Sequence, residues 1–468
     1  MKFKPTILTL CFFAVNSIAW ADDSIVAKLQ NIVDEMQKQM AQMQRTIDQQ
    51  NAKILNLENR EHQVVMGSQA VGSEMTQDQF NQLLKSKIGD SDKWLKDLKF
   101  SGDLRLRYEA FDFTSSDLSE TDSRNRFRYR LRFGFEKKFT DEVIAGFSLA
   151  SGEASGGQNV EPTSTNATFD NNFNFKDIFI DQAYAAYSPK LLQIGPIEKV
   201  TIGGGKVANP FEKGSSEMIW DRDVRPEGAY EKIDVQVVDS GHLKVKGYGL
   251  AGQFILDEDA SASNHADSEL YAWQAGLDTQ LTTPFFEKPV GWFSAFSYYN
   301  YSDYAENSNF LIGTTSLARG NSNFEGAATE LDADEFDVIE FYNEVTFFPA
   351  FDIPIKPFVD IAHNVASNVT TQDDETWAWA FGGKMGEAKK KGGWEVGYAY
   401  KRIEANSVVG AFNDADFGSG NSNKRGSQFR LAYALTDNIQ LNGAAFFVNS
   451  LATGTGGKFW TIPQTLPY

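Results

Sequence analysis

Cysteine is almost absent from this chain of 468 residues. The single one, Cys11, lies inside the N-terminal apolar run. Once that run is removed no thiol is left, which excludes disulfides, thiol catalysis and thiolate metal sites. Long hydrophobic runs are also missing. Beyond the N-terminus nothing approaches the roughly 18 apolar residues that a membrane-crossing helix needs. Positive charge is in the minority, with 44 Lys and Arg against 63 Asp and Glu for a net charge of −19, so non-specific nucleic-acid binding is excluded. Histidine is scarce as well: His62, His242, His265 and His363 are far apart and suggest neither ligands nor bases. No G-x-S-x-G, H-E-x-x-H or P-loop occurs. The acidic run DEDASASNHADSE at 257–269 lacks the central glycine of a calcium loop. No catalysis, cofactor or metal is expected.

What is present begins with Lys2 and Lys4, an apolar run from Ile7 to Ile18, and Ala19-Trp20-Ala21. This is the pattern of a signal peptide over 1–21, cleaved after Ala21. Cleavage removes the two lysines and lowers the net charge from −19 to −21. An exported chain without helical spans belongs in the periplasm, the medium or the outer membrane.

Residues 22–66 carry a seven-residue period. Val26, Val33, Met40, Ile47 and Ile54 recur at one position, and Leu29, Met36, Met43, Gln50 and Leu57 follow each by three. The seam predicts a periplasmic α-helical coiled coil, with a single amphipathic helix as the alternative; it does not set the number of strands in the coil. A linker with room for one short helix occupies 67–97.

From residue 98 to 468 the period is two. The segment RNRFRYRLRFGFE places Arg124, Arg126, Arg128, Arg130 and Arg132 on one face of a strand. Phe127, Tyr129, Leu131 and Phe133 fall on the other. Similar alternation recurs in LKFSGDLRLRYEAF, EVIAGFSLA, TWAWAF and GGWEVGYAY, and sixteen such segments can be drawn. Short turns such as FTDE, VDSGH and LTDN alternate with long polar loops. This predicts an all-β fold, a transmembrane antiparallel β-barrel of about 16 strands. A barrel that wide holds water, so Arg105, Arg107, Arg126, Arg128, Arg130 and Arg132 are expected to line an aqueous lumen and the aromatics to face outer-membrane lipid.

The connection GKVANPFEKGSSEMIWDRDVRPEGAY at 205–230 gathers Asp221, Arg222, Asp223, Arg225 and Glu227. Its Gly205 and Asn209-Pro210-Phe211, followed by Trp220-Asp221-Arg222-Asp223-Val224-Arg225-Pro226-Glu227-Gly228, resemble a motif of a Gram-negative putative porin family. FSGDLRLRYE, the arginine ladder and the preceding coiled coil carry the same resemblance, which runs through most of the chain from Phe100. The resemblance implies a porin for passive diffusion of small hydrophilic solutes or ions. In trimeric sixteen-stranded porins the loop after strand five folds inward. By that analogy loop 205–228 would face the arginine wall, with Asp221, Asp223 and Glu227 as an acidic pole and a homotrimer as the assembly. The alternative is an outer loop whose charges pair with one another. A reading from another class is a structural or adhesive outer-membrane protein, its barrel an anchor and its coiled coil a tether in contact with peptidoglycan. The departure from the family pattern is the last strand, where Pro463 and Pro467 remove ladder hydrogen bonds and threaten closure.

Overall fold

The computed structural model describes residues 97–114, 121–153, 162–258, 267–304, 321, 336–349, 352–366, 375–418, 420–451 and 458–466. The signal peptide expected over 1–21, the coiled coil over 22–66 and all but the last residue of the linker over 67–97 lie outside the described residues. So do Pro467 and Tyr468.

The chain forms β1 (Leu98–Thr114), β2 (Thr121–Lys138), β3 (Val143–Gly152), the two-residue β4 (Ala167–Thr168), β5 (Asp177–Tyr187), β6 (Ile197–Lys206), β7 (Glu227–Asp239), β8 (Leu243–Asp257) and β9 (Ser268–Leu281). It continues with β10 (Val290–Ser302), β11 (Phe336–Thr346), β12 (Ile355–Asn364), β13 (Trp377–Gly386), β14 (Trp394–Ile403), β15 (Lys424–Ala434), β16 (Gln440–Ser450) and β17 (Lys458–Leu466). Every long strand pairs antiparallel with its sequence neighbours, β3 pairing onward with β5, and β17 returns to β1. Sixteen long strands therefore close into a ring. The short β4 adds to β2 at Arg128↔Thr168 and Tyr129↔Ala167, beyond the point where β3 leaves it.

Closure survives Pro463. On the β1 side the register is unbroken from Leu106↔Leu466 to Thr114↔Lys458. On the β16 side it holds at Gly443↔Gln464, breaks opposite Pro463, and resumes at Phe446↔Thr461. A residue without an N–H cannot serve both neighbours, and the break falls where that donor is missing.

Alternation decides what each face meets. Phe127, Leu131 and Phe133 are 56%, 41% and 53% exposed on the outside of β2, whereas the guanidinium of Arg130 is 14% exposed on the inside. Outward-facing Phe100, Trp273, Trp292, Phe296, Phe381 and Phe447 extend the greasy outer surface around the ring. Such a surface is the one a bilayer covers. Among the described residues no helix is long and apolar enough to cross a membrane. The connections are sorted by length. One end of the ring carries the short turns at 139–142, 240–242 and 435–439; the other carries the long loops at 207–226 and 404–423.

Candidate functional site

The loop at 207–226 begins and ends at paired glycines. Gly205 and Gly228 face each other across β6 and β7 with φ of +115° and +155°. A Cβ on either would sit 2.2 Å from a neighbouring carbonyl oxygen. Only glycine accepts that conformation and that contact, so the motif glycines are where the chain leaves the wall. Val207 N–H donates to Pro226 O at 2.9 Å and ties the two ends together. Asn209 Oδ1 then accepts from Phe211 N–H at 3.0 Å, a side-chain turn before Pro210 that aims Phe211 inward.

The loop touches β2, β5, β10, β12 and β15, strands distributed right round the ring. Asp223 lies 3.5 Å from Arg130 and 3.4 Å from Arg132 on β2. Arg225 lies 3.3 Å from Asp181 on β5. Trp220 meets Tyr299 on β10 edge-on at 5.5 Å. Ser216 N–H donates to Asp360 on β12 at 2.8 Å. Glu217 pairs with Arg430 on β15 at 2.7 Å. One segment reaches all five only from inside.

A second loop, 404–423, enters from the same end, and its role was not read from the sequence. Val408, Val409, Phe412 and Phe417 are buried, and Phe412 stacks on Trp220 at 5.8 Å. The two loops are joined through their backbones: Asp221 N–H donates to Phe412 O at 2.7 Å and Asp414 N–H to Glu217 O at 3.1 Å. The Asp221 carboxylate receives Ala415 N–H at 2.8 Å and Asp223 N–H at 2.8 Å. The detectable signal was the apolar VVGAF and DF in an otherwise polar loop. An outer tip has no reason to carry them.

The predicted site residues separate accordingly. Asp223 faces the arginine ladder. Asp221 faces the second loop instead, and Arg222 turns to Glu217 at 2.6 Å. Glu227 is not in the loop at all: it opens β7, pairs with Lys206 at 2.6 Å and leaves its side chain 64% exposed. The other loop acid that reaches the arginine wall is Asp416 of the second loop, 2.8 Å from Arg107.

On the wall itself the β1–β2 register stacks the charges in rows. Asp103 faces Arg132, Arg105 faces Arg130, Arg107 faces Arg128, and Glu109 faces Arg126. The two middle rows set like charges directly opposite, which costs stability unless anions intervene. Asp103 bridges Arg130 and Arg132 at 3.0 and 2.7 Å. Glu109 binds Arg107 at 2.8 Å and also Arg126. A third segment, 162–168, adds neutral acceptors: Arg105 donates to Asn166 Oδ1 at 2.5 Å and Arg128 to Ser164 Oγ at 3.3 Å.

The loop carboxylates sit in unequal fields. Burial raises Asp221 well above the usual carboxylate range, and Asp414 and Asp223 add to the rise. Burial also pushes Glu217 upward, but Arg430 and Arg222 outweigh it and hold the group at about 2. Asp416 is lowered too, burial being outweighed by Arg107. Two cavities, of about 700 and about 640 Å³, lie against this assembly, and Asp223 and Arg225 line both.

No curated protein matches the chain. Among solved structures it is similar to OprB of Pseudomonas putida, with 10% identity over 82% of this chain and 97% of that one and a TM-score of 0.44. It is similar also to OmpF of Salmonella typhi in a complex with daunomycin, with 10% identity, coverage of 78% and 97%, and a TM-score of 0.41. The outer membrane channel DcaP of Acinetobacter baumannii has 10% identity, coverage of 80% and 98%, and a TM-score of 0.40. The family described as "Putative porin" matches residues 114–324 and 329–453, most of the barrel. The chain therefore belongs to the putative porin family, β-barrel channels of the bacterial outer membrane.

Proposed function

We propose that the barrel conducts small hydrophilic solutes and ions by passive diffusion, and that the passage is narrowest where loop 207–226 meets the β1–β2 wall. The observation that carries this reading is Asp223. It reaches Arg130 and Arg132 from the loop and borders both cavities. Guanidiniums of the wall and carboxylates of the loops meet there in ion pairs that line the edge of the passage. Such a charged lining favours hydrated polar solutes over apolar ones.

Planar-bilayer recording tests it. The wild-type chain should give ohmic conductance in potassium chloride. Arg128→Glu with Arg130→Glu should move the reversal potential in a salt gradient toward cations, and Asp223→Asn toward anions. Salt near 1 M should weaken both shifts, because screening then acts within about 3 Å. A wild type that does not conduct removes the channel reading. Conductance with neither substitution altering selectivity removes the narrowing at Asp223. Assembly as three chains belongs to the same proposal and rests on the seven-residue seam over 22–66 taken together with the sixteen-strand count, since the seam by itself does not set the number. A native mass of one chain for the detergent-extracted protein removes it.

A further inference from the structure

The arginine wall is short of negative charge. Six guanidiniums, Arg105, Arg107, Arg126, Arg128, Arg130 and Arg132, face four carboxylates within ion-pairing distance, Asp103, Glu109, Asp223 and Asp416, so two positive charges are left over among the described residues. The deficit is local. Arg107 has Glu109 and Asp416, while Arg130 and Arg132 share Asp103 and Asp223. Arg128 reaches Glu109 only at 3.9 Å. Arg105 has no carboxylate within that distance among the described residues, and its terminal nitrogen is met by the neutral Asn166.

Acceptors are short as well as charge. The Nε–H groups of Arg105, Arg128 and Arg130 are buried with no hydrogen-bond partner among the described residues. Arg105 directly faces Arg130 across the strands, so the surplus falls on the like-charged row that most needs an anion. Arg105 and Arg130 both border the larger cavity, which has space for a small molecule. The wall already shows how it takes an anion: each neutralised guanidinium does so through a carboxylate, three of the four reaching at least two arginines at once.

We propose that Arg105 and Arg130 form a binding subsite for the carboxylate group of a permeating solute, the place on the wall where a mobile carboxylate completes what Asp103, Glu109, Asp223 and Asp416 supply elsewhere. A planar carboxylate matches the guanidinium fork with two oxygens. The surplus of two charges suits a small mono- or dicarboxylate. A solute bound there lies beside Asp223 and competes with it for Arg130. The subsite makes the passage selective by residence rather than by width. This inference rests on the channel reading given above.

The test is current block in planar bilayers with the full chain in potassium chloride, adding acetate, succinate or inorganic phosphate on one side. Succinate should reduce the chloride current in a saturable way, and Arg105→Gln should raise the half-blocking concentration at least about tenfold. Arg105→Lys, which keeps the charge and loses the fork, should fall between them. Lys288→Gln, at an exposed turn, should block like the wild type. If Arg105→Gln does not assemble, the Arg105→Lys shift and the saturable block of the wild type decide the matter. A wild type that conducts chloride without saturable succinate block overturns the subsite and leaves the channel intact. Equal block in wild type and Arg105→Gln overturns it too. Phosphate blocking tenfold more strongly than succinate overturns the carboxylate assignment. Absence of any chloride current overturns the channel reading itself.

Discussion

The two sides of the barrel interior are built from opposite chemistry. Against β8 to β13 aromatic packing dominates: Phe211, Trp220 and Phe412 pack with Phe254, Tyr299, Tyr301 and Phe336, with Glu340 and Asp360 buried on β11 and β12 beside them. Against β1 and β2 it is ionic, with arginines in rows and carboxylates brought to them by two loops. The same loops take part in both. Their apolar residues fasten them to one side, and the acids between those residues reach toward the other. Burial is non-directional and holds a loop firmly. Ion pairs are directional and respond to whatever charge passes beside them. On the reading proposed above, the difference gives anchorage to one side and discrimination to the other.

The largest effect should come from the aromatic side. Trp220→Ala removes a fully packed indole between Tyr299 and Phe412 and should cost about 3–5 kcal/mol. The loops should detach, with faster hydrogen exchange at the Asp221 and Asp414 amides and a larger conductance. Unchanged exchange and conductance would break the division of labour. Next comes the ionic side seen from lipid. Leu131→Arg places a charge on the outer face and should cost roughly 2–4 kcal/mol, impairing insertion, whereas Arg130→Leu on the inner face should still assemble. Equal assembly of both variants would mean that the faces are exchanged.

A smaller effect is expected from pH. Glu217 is held at about 2, so its contribution is present above the ordinary carboxylate value near 4 and is lost as pH falls from there toward about 2. Asp221 is raised, so its contribution has the opposite sense, present below the ordinary value and lost as pH rises through the raised one. Hydrogen-exchange protection of the Asp414 amide should therefore decline at both extremes. Glu217→Gln should remove the acid limb and Asp221→Asn the alkaline limb. A profile unaltered by either substitution would detach the loop clasp from these two carboxylates. The smallest effect compares neighbours. Asp223→Asn should shift ion selectivity while Asp221→Asn hardly does, because only Asp223 reaches the wall. Equal shifts in reversal potential would place Asp221 in the passage after all.

The barrel was readable because a two-residue period reports burial on one face directly, and most strand ends fall within a few residues of where the alternation stops. The arginine face of β2 was visible for the same reason. What the sequence did not disclose depends on pairing across distance. Asp103 and Glu109 read as ordinary polar positions of β1, and only the register shows that they end the two like-charged rows. Asp416 sits nearly 200 residues from Asp223, and no local spacing links them. Glu227 was grouped with the loop acids by proximity along the chain, although the turn after Pro226 had already returned it to the wall. The burial of 404–423 could have been suspected from Val408, Val409 and Phe412, since apolar clusters in long loops need a surface to rest on.

The clasp between the two loops also has a mechanical side. In a barrel the hydrogen bonds between strands run round the circumference, and none of them sets the distance across the ring. Backbone bonds from Asp221 to Phe412 and from Asp414 to Glu217, with side-chain ties onto β2, β5, β10, β12 and β15, run across the diameter like spokes. They tie separated parts of the wall to one another from within, so the spacing between Asp223 and the arginines depends on strands far from both.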